Sequence, residues 1–103
     1  MPLKPTDFYI LLVLADHPLH GYGIMKEVER ESNGDIRLEI GSLYRILGRL
    51  LSEGLLEDAA GDERRRFYRL SRIGRRALKT EAERLVGLVN RVRARKLLPE
   101  ADA

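Results

Sequence analysis

The chain has no cysteine and no tryptophan, only two histidines, and no apolar run longer than the eight residues from Phe8 to Ala15. Without cysteine there can be no disulfide framework, no thiolate metal site and no cysteine nucleophile, and a reducing compartment suits the chain. A membrane-spanning helix needs roughly 20 apolar residues. With no basic leader before the apolar run, the chain reads as unexported and cytoplasmic, with no membrane partner. The four serines lack a Gly-x-Ser-x-Gly elbow, and a base and orienter would have to come from His17 and His20, which share one turn. As metal ligands these two have no support from cysteine, so capping or turn packing is the expectation for both. Gly21-x-Gly23 lacks the preceding strand and the third glycine of a pyrophosphate cradle. No enzyme, cofactor or metal is expected.

What is present is a short, charged chain. At 103 residues it forms one small domain, which buries only roughly 60 to 70% of its unfolded surface, so burial against a partner would help it. Charged residues make up 34% but the net charge is only +3, so no blanket basic surface draws a polyanion. The charge is instead sorted along the chain. Seven arginines and no acid lie between Arg64 and Arg76, with Glu57, Asp58, Asp62 and Glu63 just upstream and Glu27, Glu29 and Glu31 crowding another segment.

The pattern predicts four helices and one hairpin, with no internal repeat. Thr6 or Asp7 caps a first helix from Phe8 to about Asp16, apolar nearly all round, which Pro18 stops. His20-Gly21-Tyr22-Gly23 turns into a second helix, with Ile24, Met25 and Val28 on one face and Lys26, Glu29 and Arg30 on the other, ended by Asn33-Gly34. Ser42 caps a third helix and Gly54 closes it. Around that helix Leu43, Ile46, Leu47, Leu50 and Leu51 fall on one arc, and Ser42, Arg45, Gly48, Arg49, Ser52 and Glu53 on the other. Tyr44 lies at the border, open to the core or to a partner. Leu55–Ala59 and Arg66–Leu70 then flank a charged tip with a Gly61-Asp62 turn. Ser71 caps a last helix running to Leu98 before Pro99. Along it Leu78, Ala82, Leu85, Val89 and Val92 recur at spacings of four and three, the seam of a helix packed on the same helix of a second subunit.

Three features point to double-stranded DNA as the partner. Arg45, placed at the third helical position, opposes the helix dipole at a cost of ~0.3 to 1 kcal/mol, which a phosphate or guanine edge would reverse. Arg49 follows one turn later, so Ser42, Arg45, Arg49 and Ser52 form a polar strip suited to a major groove. Arg64, Arg65 and Arg66 sit where a wing tip reaches phosphates, and Tyr68 can donate its hydroxyl to one. Each has a plainer reading, an arginine or helix face that is simply solvated.

Leu19-His20-Gly21-Tyr22-Gly23-Ile24, Gly41-Ser42-Leu43-Tyr44, Leu47 with Arg49-Leu50, Glu53-Gly54-Leu55-Leu56, and Arg66-Phe67-Tyr68-Arg69-Leu70-Ser71 followed by Gly74 resemble the PadR-like family of winged helix-turn-helix transcriptional regulators. The resemblance spans most of the chain. It implies a homodimeric repressor in which the third helix reads DNA, the last helix forms the dimer, and Tyr22, Ser42, Tyr44, Arg49 and the wing residues contact the operator. Members often carry proline after the Leu-Tyr pair, where this chain has Arg45. A single C-terminal helix is similar to the compact subgroup, some of whose members hold flat aromatic drugs between subunits by tryptophan, which this chain lacks.

The expected fold is therefore mainly α with a small β-hairpin wing. It comprises a winged helix-turn-helix DNA-binding domain over 1–71, a dimerisation helix over 72–98 and a flexible tail over 99–103. The expected DNA-contacting residues are Tyr22, Lys26, Ser42, Tyr44, Arg45, Arg49, Arg64, Arg65, Arg66 and Tyr68. Self-association and an unidentified small-molecule inducer complete the expected partners. The competing reading is a winged helix used as a protein-interaction module without specific DNA binding.

Overall fold

The computed structural model describes residues 2–99, so the expected fraying of Glu100 to Ala103 lies outside the described residues. The elements run α1 (Pro5–Val13), β1 (Leu19–His20), α2 (Gly21–Glu31), α3 (Ile40–Ser52), β2 (Leu56–Ala59), β3 (Phe67–Leu70) and α4 (Arg72–Ala94). Ile10, Leu11 and Leu14 of the first segment meet Ile24 and Val28 of α2, Leu43, Leu47 and Leu50 of α3, and Leu56, Tyr68 and Leu70 of the sheet in one core. No helix among the described residues is long and apolar enough to cross a membrane.

The first helix starts earlier than predicted. Pro5 occupies its first turn and Lys4 stands at the cap with no side-chain bond, because proline has the helical φ preset and its missing N–H is one that a helix start leaves unpaired anyway. Neither Thr6 nor Asp7 caps, and the helix ends at Val13 rather than Asp16. Nor is it buried all round, since Leu12 is exposed.

The turn predicted at His20 contains a strand. Leu19 pairs with Tyr68 and His20 with Phe67, giving a three-stranded antiparallel sheet in the order β1-β3-β2. Two residues carry no readable alternation; the strand exists because β3 offers it an edge. A strand thus does precede Gly21-x-Gly23, though a third glycine is still missing. His20 also caps α2, its Nδ1 accepting from the Gly23 amide at 3.1 Å. At the other end Asn33 and Gly34 both take positive φ, and their amides return to the carbonyls of Arg30 and Glu29 at 3.1 and 2.8 Å, a Schellman closure.

The third helix begins at Ile40 with Glu39 at its cap, and no side chain caps it. Ser42 is therefore inside the first turn and is not the cap. Gly54 does close it, with φ +78° and amides of Gly54 and Leu55 returning to Leu51 and Leu50 at 3.0 Å.

The hairpin pairs Leu56 with Leu70 and Ala59 with Phe67. Its tip is not a tight Gly61-Asp62 turn. Gly61 lacks positive φ, and the Asp62 carboxylate closes a longer loop by accepting from the amides of Arg64 at 3.0 Å and Arg65 at 2.8 Å. An aspartate bonding to amides two and three residues on supplies the reversal that glycine would otherwise supply.

Ser71 joins the wing to α4. Its Oγ accepts from the Gly74 amide at 2.9 Å and donates to the Gly54 carbonyl at 2.6 Å. Any Cβ at Gly74 would collide with the Leu55 carbonyl, so only glycine lets the helix approach this closely. The last helix is 23 residues, about 35 Å at 1.5 Å per residue, and gives the molecule a 52 Å long axis against 27 and 24 Å across. It stops at Ala94, short of the predicted Leu98. Lys96 takes φ +60°, and the amides of Lys96 and Leu97 return to Arg93 and Val92. A left-handed lysine costs roughly 1 to 2 kcal/mol, so no breaker residue marks this end.

Candidate nucleic-acid interface

The outer face of α3 carries Gly41, Tyr44, Arg45, Gly48 and Ser52, all exposed, with Ser42 and Arg49 partly covered. Because the helix starts at Ile40, Arg45 is its sixth residue and lies beyond the first turn to which the dipole's influence is confined. The dipole penalty inferred from sequence is absent. Its position stands on different ground: Arg45 is exposed and makes no ion pair or side-chain hydrogen bond among the described residues.

Arg49 is differently placed. Its Nη2 donates to both carboxylate oxygens of Asp7, at 2.7 and 2.9 Å, and its Nη1 to Glu53 at 3.0 Å. Asp7 is 5% exposed, so the guanidinium neutralises a buried carboxylate and ties α1 to α3. Its pKa is raised, chiefly by the hydrogen bond to Asp7. Arg49 is thus engaged by two carboxylates where Arg45 is unpaired among the described residues, so the two are not equal members of one strip.

Tyr44, left open by the sequence, faces away from the core. Its ring is half-exposed and covers Gly21, where an added Cβ would stand 2.7 Å from the tyrosine hydroxyl. Tyr22 is exposed beside it, with the Lys26 ammonium 5.4 Å from its ring centre. His20, Gly21, Tyr22, Tyr44 and Arg64 to Arg66 line an open cavity of about 250 Å³ where α2, α3 and the wing meet.

The wing arginines are unequal. Arg65 bonds Asp62 through Nε and Nη2 at 2.9 and 2.7 Å, and Arg66 bonds Asp58 at 2.6 and 3.2 Å. Their hydrogen bonds hold both aspartates below the ordinary carboxylate range. Arg64 makes no ion pair among the described residues. Tyr68 is a correction: it is 2% exposed and part of the core, with Arg66 stacked 5.3 Å from its ring. Burial raises its hydroxyl pKa, and a ring so enclosed is not a phosphate contact. The alternation that turns Arg69 outward turns Tyr68 inward.

The seam proposed along α4 divides. Leu78 is 8% exposed and packs in the core of the chain itself, which removes it from an exposed seam. Ala82 is exposed, and Leu85, Val89 and Val92 are half-covered. Val86 and Leu88 leave further apolar surface exposed on the same helix. Beside them a groove of about 380 Å³ runs between the first residues and α4, lined by Leu3, Phe8, Tyr9, Leu12 and Leu85 among others. Among the described residues no group of three or more His, Cys, Asp or Glu could hold a metal.

Sequence reasoning offered Asp7 only as a cap and missed its pairing with Arg49; it expected His20 to cap or pack a turn, and His20 does cap α2. An acid within an otherwise apolar helix demands a buried partner, which was a signal for Asp7.

Among curated proteins, an uncharacterised 37.1 kDa protein in transposon TN4556 of Streptomyces fradiae is 40% identical over 92 residues, 89% of this chain; the chain spans only 26% of that relative's length. Among solved structures, a transcriptional regulator from Clostridium thermocellum superposes with a TM-score of 0.72 at 26% identity, covering 87% of each chain. Bacillus subtilis PadR in complex with operator DNA superposes at 0.66 with 21% identity, covering 75% of this chain and 46% of that one, a likeness of fold. The model of the transcriptional regulator PadR-like family matches residues 10–80, from the core of α1 through the winged sheet into α4, and the chain therefore belongs to that family of winged helix-turn-helix transcriptional regulators.

Proposed function

We propose that the chain is a sequence-specific operator-binding repressor that acts as a homodimer in the cytoplasm, by binding rather than catalysis. The observation that carries the reading is the exposed, unpaired Arg45 on the outer face of α3, flanked by Gly48 and backed by the acid-free cavity beneath the wing. Two such helices, paired through the free face of α4 from Ala82 to Val92, would enter major grooves about one turn, ~34 Å, apart on a near-palindromic site. In this reading Arg45, Tyr44 and Ser42 face the groove, Tyr22, Lys26 and Arg64 to Arg66 face phosphates, and Arg49 positions α3 through Asp7. A small-molecule inducer would act by changing the spacing between the two helices.

The test is a titration with fragments selected from random DNA at two salt concentrations. If each subunit neutralises about four phosphates, the logarithmic salt slope is near ~-7 for the dimer, and Arg45→Ala weakens the selected site against random DNA. A second reading, an interaction module that binds protein, draws support from the wing's internal neutralisation by Asp58 and Asp62. No binding at low salt would favour that reading over the first.

A further inference from the structure

We propose that His20 and Arg65 together form the seat for one backbone phosphate of the operator, a contact that rests on the DNA-binding reading above. The starting point is a bond that fixes a proton. His20 Nδ1 accepts from the Gly23 amide at 3.1 Å, which only an unprotonated nitrogen can do. A neutral imidazole has one accepting nitrogen and one N–H, so its proton is on Nε2. Arg65 Nη1 lies 3.0 Å from that same Nε2, and a guanidinium has donors only. Two donors thus face each other at hydrogen-bond distance with no acceptor between them.

The opposite tautomer would repair the Arg65 contact by placing an N–H against the Gly23 amide. The amide belongs to the helix backbone and cannot retreat, whereas the exposed Arg65 side chain can, so the cap dictates the tautomer. The ring is fixed, and the guanidinium is oriented toward it while keeping room to shift. The imidazole is set edge-on against Phe67, with centroids 5.4 Å apart and planes at 84°, and Asp62 holds the far side of the Arg65 guanidinium. No acid lines the cavity onto which they open, while Tyr22, Tyr44 and Arg64 do. An anionic oxygen entering there accepts from Nε2–H and Nη1–H together, and a phosphodiester oxygen has the lone pairs for both.

The decisive experiment combines His20→Asn with operator DNA in which single phosphates are replaced by neutral methylphosphonates. Asparagine keeps a capping acceptor but does not extend a donor to the Nε2 position. Losing one charge-assisted contact weakens binding about tenfold, and the seat requires one phosphate per half-site at which neutralisation weakens the variant, which keeps only Arg65, by clearly less than it weakens wild type. Additive losses at every phosphate, or a variant that binds as tightly as wild type, would overturn the seat while leaving DNA binding intact; a wild type that binds no DNA overturns both. Nitrogen-15 spectra of the imidazole should show the proton on Nε2, and a proton on Nδ1 overturns the proposal. Shifts of His20 with millimolar inorganic phosphate in the absence of DNA would assign the site to a free phosphate ligand instead. Arg65→Gln, on the exposed wing, repeats the test should His20→Asn not fold.

Discussion

One nitrogen of the Arg49 guanidinium lies 2.7 and 2.9 Å from the two carboxylate oxygens of Asp7, 42 residues away in the chain. The carboxylate is buried and the arginine is partly open to solvent, so α1 holds α3 by a charge that, among the described residues, this arginine satisfies. Removing one member of a fully buried pair costs about 3 to 5 kcal/mol. Solvent reaching Arg49 lowers that figure. Asp7→Asn is expected to cost about 1 to 3 kcal/mol, a fall in Tm of roughly 5 to 15 °C, and a calorimetric melt unchanged from wild type would refute the clamp.

Leu78 and Leu85 lie two turns apart on α4 yet belong to different surfaces. Leu78→Ala empties a core position and should cost roughly 2 to 5 kcal/mol whatever the protein concentration. Leu85→Asp should leave the subunit folded and shift it from dimer to monomer in sedimentation velocity. A Leu85→Asp protein that still sediments as a dimer would place the interface elsewhere.

Gly48 is exposed on α3 with open space where a Cβ would stand. Gly48→Ala should raise stability by roughly 0.5 to 1 kcal/mol, because alanine loses less backbone entropy in a helix interior. If α3 enters a groove, the same methyl group stands between helix and DNA. Operator affinity should then fall as Tm rises, and a gain in stability with affinity untouched would argue against close approach of this face.

The wing and α4 carry carboxylates whose pKa values are lowered by hydrogen bonds from arginine: Asp58 by Arg66, Asp62 by Arg65 and Glu81 by Arg84. A group with a depressed folded pKa stabilises above its unfolded value and loses that contribution as pH falls through the folded one. These three pairs should therefore leave Tm flat from about pH 5 to 8 and destabilise the protein below about pH 4. Replacing the three acids by their amides should remove that acid limb, as followed by circular dichroism. A limb of the same steepness in the triple variant would show that other carboxylates drive it.

Periodicity and stop residues were enough to place α2, α3, the two long wing strands and the start of α4, since Leu43, Leu47 and Leu50 recur at helical spacing and Asn33, Gly34, Gly54 and Ser71 perform the local tasks their chemistry allows. Local sequence also carried the resemblance that the family match and the superpositions bear out. Everything that depended on a partner distant in the chain was decided only by the tertiary structure. Strand β1 forms because β3 lies beside it. Tyr68 faces inward because the sheet packs on the helices, and Leu78 belongs to the core because α4 passes over it before leaving the domain. Arg49 looked identical in kind to Arg45 on a helical wheel, and what separates them is a carboxylate on another helix. Short-range patterns report which residues share a face, whereas burial of a charge or a ring is settled by what that face meets.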